Sequence, residues 1–207
     1  MQENNWVKIT NQSLASYTRE AGFDLTVYDD YSPTTQKELR KAAIKNAIYG
    51  IEYAFEERGI DIKSIKTGVY VISLSDPFTV KYRNGCSPVI YVGIGNLMGR
   101  IKNHFENSLF DFMQSLSGTN FDFHFSLPQM DGQPEYYKHV EWRILEYFSA
   151  RFGGNGNVVY PLLNKNAGSK RPLSDTSLWW SKPLKNSGRK PRWIIEATKS
   201  SAFARLD

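Results

Sequence analysis

Apolar residues recur along this chain with two different periods, and the change of period marks its organisation. Between Thr34 and Arg58 the positions Leu39, Ala43, Ile44, Ala47, Ile48, Ile51 and Phe55 fall three or four apart, which places them on one side of an α-helix. Ser32 suits the N-cap, Pro33 the first turn and Gly59 the stop. The stretch before it, with Trp6 and the polar run TVYDDYS, has no clean period and is expected to wrap the surface. From Thr67 the period becomes two. Gly68 to Leu74 and Phe78 to Arg83 read as strands, with Asp76-Pro77 as a turn between them, and Asn84-Gly85 is a hairpin turn leading into PVIYVG. A helix follows Gly95-Asn96 to about Phe110, with Leu97, Ile101 and Phe105 as its apolar stripe. Phe121 to Leu127 alternates, with Phe121, Phe123 and Phe125 on one face and Asp122 and His124 on the other, as in a half-buried strand. A last helix opens at Pro134 and closes at Gly153-Gly154.

These elements predict an α+β fold, a small antiparallel β-sheet flanked by helices. Residues 1–66 form an N-terminal helical extension, 67–166 the core, and 167–207 a tail. Composition adds exclusions. The 207 residues are 41% hydrophobic and 23% charged, as in an ordinary globular protein. No apolar run is long enough to span a membrane, and the polar residues after Met1 do not form a secretory leader. A single cysteine, Cys86, excludes an internal disulfide framework and fits a reducing compartment, so a cytoplasmic location is expected. The net charge is +5, and it is unevenly spread. Residues 1–66 carry −1, residues 67–166 are neutral, and residues 167–207 carry +6. The tail interleaves Trp179, Trp180 and Trp193 with Lys182, Lys185, Arg189, Lys190 and Arg192. That mixture suits a polyanionic partner, through phosphate contacts and stacking. The plainer alternative has the tryptophans anchoring the tail while its cations stay solvated.

Candidate chemistry lies in the neutral core. In Gly68-Val69-Tyr70 and Tyr91-Val92-Gly93, strand parity puts both tyrosines on one face and the neighbouring valines on the other. Tyrosine is also simply common in strands. Arg100 and His104, four apart, share a helix face and make a plausible phosphate-facing pair. Glu141 aligns with Tyr137, Leu145 and Phe148, so it is a carboxylate on an apolar stripe. Such a group needs a divalent cation, an arginine partner such as Arg143 or Arg151, or a route to solvent. Asn164, in Pro161-Leu-Leu-Asn164, follows with an amide suited to orienting a carboxylate or a phosphate.

In this order the motifs resemble the GIY-YIG nuclease family, written here as GVY at 68 to 70 and YVG at 91 to 93, then Arg100 and His104 within GNLMGRIKNH, then Glu141 and Asn164. The resemblance spans about half the chain. Two intervals are longer than the family's usual pattern. The one between the tyrosine motifs fits a hairpin inserted at Asn84-Gly85, and the one after Glu141 leaves Asn164 and Asn166 both open as the terminal Asn. The resemblance implies a metal-dependent DNA endonuclease leaving 5′-phosphate and 3′-hydroxyl ends. Glu141 would bind Mg²⁺ or Mn²⁺, and Tyr70 would be the general base, its phenol pKa lowered by the metal and Arg100. Arg100 and Tyr91 would stabilise charge on the phosphate, and His104 would hydrogen-bond Tyr70 or phosphate. DNA is the implied partner, with the N-terminal helix and the basic tail as candidate DNA-reading segments. One chain supplies one site, so double-strand cleavage by simultaneous cuts would need a homodimer or higher oligomer. A restriction-type or other defence role and a mobile-element role both fit. The alternative is a non-catalytic DNA-binding module on a nuclease-like fold.

Overall fold

The computed structural model describes residues 6–116, 119–126, 134–154, 156–165, 179–184 and 193–196. Its centre is a four-stranded antiparallel sheet in the order β1-β6-β2-β5. Here β1 is Trp6–Gln12, β2 Gly68–Leu74, β5 Val89–Gly95 and β6 Phe121–Ser126. The fold is therefore α+β, as the change of period predicts.

The first strand is the main departure from expectation. Instead of wrapping the surface, Trp6–Gln12 pairs with β6, Trp6 opposite Ser126 and Lys8 opposite His124. The sheet thus takes strands from both sides of residue 66. As an edge strand, β1 tolerates the polar residues that blur its period. β6 lies between β1 and β2, and five of its six residues are buried, so its expected half-buried character is corrected by the structure. Asp122 on the polar face is buried. Lys8 Nζ lies 2.7 Å from its Oδ2, and the Ser75 hydroxyl and the Asn11 N–H donate to Oδ1 at 2.5 and 3.1 Å. A charge taken from water in this way needs such partners.

Every residue of β2 is buried, so both faces of the sheet are covered. Tyr70 stands opposite Phe125, and Ile72 is flanked by Phe123 and Tyr91. On that face lies α2, Pro33–Glu56, which buries Ala43, Ala47, Ile51 and Phe55. Phe55 meets Phe125 edge-on at 4.9 Å. The Ser32 hydroxyl accepts from the Thr35 N–H, as expected of an N-cap. A shorter helix, α1 (Leu14–Glu20), packs against α2.

After β5, the Asn96 side chain caps α3, Leu97–His104, by accepting from Gly99 N–H at 2.8 Å. The helix does not stop near Phe110. It passes through one π-helical turn, Phe105–Leu109, into α4, Phe110–Ser115. A π turn loosens the regular carbonyl ladder. The Arg40 guanidinium, from α2, donates to Glu106 and Asn107 carbonyls at 2.8 and 3.2 Å and pairs with Asp111 at 2.6 Å.

The expected hairpin insertion is present. β3, Phe78–Tyr82, pairs with β4, Gly85–Ser87, around a Gly85 with φ of +111°, a conformation glycine adopts without steric cost. Trp193–Ile195 (β7) adds to β3 in parallel and completes a second, three-stranded sheet. The last helix, α5 (Pro134–Phe152), packs against β2 and β5. Part of the tail is anchored beside it. Trp179 accepts from the Trp6 indole through its carbonyl and donates its own indole N–H to the Tyr136 hydroxyl. Trp180 is buried and Lys182 is exposed. Lys185, Arg189, Lys190 and Arg192 lie outside the described residues. Among the described residues no helix is long and apolar enough to cross a membrane.

Candidate active site

Strand register brings the two tyrosines together. β2 and β5 run antiparallel with Tyr70 opposite Gly93 and Ile72 opposite Tyr91. The phenol rings therefore sit on one face as diagonal neighbours, nearly parallel, with centroids 5.8 Å apart. The glycine between them is a spatial requirement. A Cβ built on Gly93 would lie 2.6 Å from the Tyr70 hydroxyl and 2.6 Å from a Tyr91 ring carbon. Any side chain there would expel one of the rings.

One turn of α3 supplies the next two groups. His104 Nε2 lies 2.6 Å from the Tyr70 hydroxyl, and the imidazole meets the Tyr91 ring edge-on at 4.2 Å. Burial, helped by the positive charge of Arg100, pushes the His104 pKa down to about 4. The ring is thus neutral at physiological pH, and with its proton on Nδ1 it accepts from Tyr70 through Nε2. Arg100, four residues earlier, is exposed, and its side chain folds back over Gly95.

Glu141 reaches the same place from α5. It is partly buried, and burial raises its pKa to about 7 against the opposing pull of Arg100. Among the described residues neither Glu141 nor Arg100 makes a hydrogen bond or ion pair with another protein group. The two opposite charges feel each other without closing a salt bridge. Arg100 also pulls the Tyr70 and Tyr91 pKa values down, but burial outweighs it and both phenols are raised. Tyr70, 1% exposed, is raised far above the ordinary phenol range.

Asn164 has a task that its sequence position does not reveal. Its Oδ1 accepts from the Val92 N–H and its Nδ2 donates to the Val92 carbonyl, both at 2.8 Å. Leu163 N–H adds a bond to the Ile90 carbonyl at 2.8 Å. β5 is an edge strand, and this segment serves as its missing partner. The amide thereby clamps the residue between Tyr91 and Gly93. Asn166, the other candidate, lies outside the described residues.

The structure therefore brings together Tyr70, Tyr91, Arg100, His104 and Glu141 from four elements, and places Asn164 behind them as a backbone support. The spatial roles of Gly93 and Asn164 were not legible from spacing, because both depend on which strands are neighbours. Among the described residues no three His, Cys, Asp or Glu side chains cluster as a ready-made metal cage. A hard divalent cation fits instead through one carboxylate, with water and substrate oxygens completing its shell. Glu141, half-buried and without a protein partner, is the group suited to it. Chemically the cluster offers an exposed guanidinium for an oxyanion, an unpaired carboxylate, and a phenol whose proton has an acceptor within bonding distance. Searches against family models, curated proteins and solved structures returned no match to this chain.

Proposed function

We propose that this protein is a metal-dependent DNA endonuclease of the GIY-YIG type, hydrolysing phosphodiester bonds to 5′-phosphate and 3′-hydroxyl ends. The observation that carries the reading is the convergence of Tyr70, Tyr91, Arg100, His104 and Glu141, with the Arg100 and Glu141 charges left unpaired beside the phenols. A phosphodiester between them would be matched on one side by the guanidinium, whose planar fork suits phosphate oxygens. Glu141 would hold Mg²⁺ or Mn²⁺, which when bound polarises the scissile phosphate and stabilises the leaving oxygen.

The proton path follows from the Tyr70 hydrogen bond. A Tyr70 pKa raised by burial argues against a standing phenolate. With neutral His104 accepting from it, Tyr70 can take a proton from the attacking water while passing its own to Nε2. The water oxygen then forms its bond to phosphorus as the bond to the 3′ oxygen breaks, and that oxygen takes a proton from solvent to become the 3′-hydroxyl. Arg100 and the Tyr91 hydroxyl would stabilise charge gathering on the phosphate oxygens. In this scheme Tyr70 is a relay, and no lowering of its pKa is required. Asn164 acts through Tyr91 as a positioning residue.

The test is plasmid cleavage with Mg²⁺ or Mn²⁺ by the full chain and by Glu141→Gln and Arg100→Ala. Cleavage abolished by chelator, and lowered by about two orders of magnitude or more in each variant, is expected for charges acting on the transition state. Unchanged nicking in either variant refutes the assignment.

A further inference from the structure

The outer side of α2 carries a feature that neither the core nor the candidate site uses. Residues Lys37, Lys41, Lys45, Tyr49 and Tyr53 follow one another at intervals of four, so they form a single continuous ridge along the helix. All five are exposed, Tyr49 by 56% and Tyr53 by 61%. Among the described residues none of the three lysines is in an ion pair, although Arg40 and Glu52 on the same helix are both paired. The Lys45 ammonium sits 5.6 Å over the Tyr49 ring, joining the basic and aromatic halves of the ridge.

We infer that this ridge is a docking surface for the sugar-phosphate backbone of duplex DNA. Charge complementarity points to a polyanion, since three unneutralised ammonium groups stand in line with no acidic residue among them on the ridge. Spacing adds to it. Four residues of helix rise about 6 Å, so successive lysines of the ridge can reach different phosphates of a duplex, each strand of which carries one per about 3.4 Å of axis. From Lys37 to Tyr53 the ridge spans about 24 Å. Tyr49 offers a flat, polar-tipped surface for sugar and phosphate contacts, whereas the Tyr53 hydroxyl stands against the Glu57 carboxylate, which closes the ridge at the end of the helix. An anionic membrane is a poorer match, because a helix lying in a bilayer interface needs a free apolar face. The apolar face of α2 is already spent on Ala43, Ala47, Ile51 and Phe55 in the core. The choice of DNA among polyanions rests on the nuclease reading above, whereas the ridge itself does not.

The experiment measures binding of the full chain to a short mixed-sequence DNA duplex, with chelator present so that cleavage plays no part, across a salt series. The triple variant Lys37→Gln, Lys41→Gln, Lys45→Gln is compared with the wild type and with the triple Lys→Arg variant, and thermal melting checks that all are folded. Three lost phosphate contacts lower the slope of log affinity against log salt by about 2.7. Between about 50 and about 200 mM salt the wild type then loses about 40-fold more affinity than the Gln variant does. The Arg variant retains the wild-type slope. An unchanged slope in the Gln variant overturns the inference, as does binding of polyglutamate or phosphatidylserine vesicles as tight as that of DNA. A protein that binds DNA through the ridge but never cleaves it leaves this inference standing and removes the nuclease reading. Cleavage with an unchanged slope does the reverse.

Discussion

Replacing Asn164 by aspartate should make the stability of this protein depend on pH in a way the wild type's does not. The substitution changes one NH₂ group to one oxygen. At neutral pH the new carboxylate still accepts from the Val92 N–H, but its other oxygen faces the Val92 carbonyl, which the amide nitrogen now meets at 2.8 Å. One hydrogen bond is lost, worth about 1 kcal/mol net, and an acceptor in a partly buried place is left opposite a negative charge, costing about 1–3 kcal/mol more. The expected penalty at pH 7 is about 2–4 kcal/mol. When protonated, the carboxyl regains a donor for that carbonyl. Its pKa in the folded protein is therefore raised above the unfolded value of about 3.9. A raised acid pKa contributes stability that is fully present below the unfolded pKa and lost as pH rises through the folded one. Urea denaturation of wild type and variant at about pH 3.5 and about pH 7 should thus show near parity at the lower pH and the full penalty at the higher. Other carboxylates titrate in both proteins and cancel in the difference. Asn164→Ala, which removes both bonds, should be destabilised by a similar amount at both pH values. An aspartate penalty equal at the two pH values would refute the view that the amide clamps Val92.

Two further perturbations address the site. Gly93→Ala should destabilise the protein by about 1–3 kcal/mol, the usual cost of overpacking. It should also shift the imidazole nitrogen resonances of His104, because the added methyl would lie 2.6 Å from the Tyr70 hydroxyl and push it away from the imidazole; an unperturbed His104 spectrum would contradict the packing. Glu141→Gln should raise the stability of the metal-free protein at pH 8 by about 1–2 kcal/mol, since a carboxyl with a pKa of about 7 is ionised there at a desolvation cost. The gain should shrink as pH falls below about 7, and a loss of stability at pH 8 would mean that the ionised carboxylate has a protein partner.

What the chain disclosed in advance and what it hid divide along a physical line. Local chemistry was legible. Ser32 as a cap, a helix starting after Asn96, Gly85 in its turn, the spacing of three or four in α2 and the common face of Tyr70 and Tyr91 all follow from periods and from residues a few positions apart. What stayed hidden depends on neighbours far off in sequence. Trp6–Gln12 has too many polar residues to announce itself as a strand, and it becomes one because β6 offers an unpaired edge. The alternation in β6 suggested one wet face, yet five of its six residues are buried, and Lys8 makes it possible to bury Asp122. The π turn after His104 has no sequence period of its own, and Arg40, 65 residues away, meets its carbonyls.

The same division explains the backbone role of Asn164. Spacing alone ranks an asparagine near a carboxylate as a polar ligand, because it reports residue type and order without saying which backbone groups lack partners. Edge strand β5 leaves the Val92 N–H and carbonyl unsatisfied on its outer side, and a buried pair of that kind has a stronger claim on an amide than a phosphate that visits. Tyr91 and Gly93, on either side of Val92, inherit their position from that clamp. The chemistry proposed for Tyr70 and His104 needs the rings held within a few tenths of an ångström of a hydrogen bond, so the support behind β5 belongs to the mechanism as much as the groups in front of it.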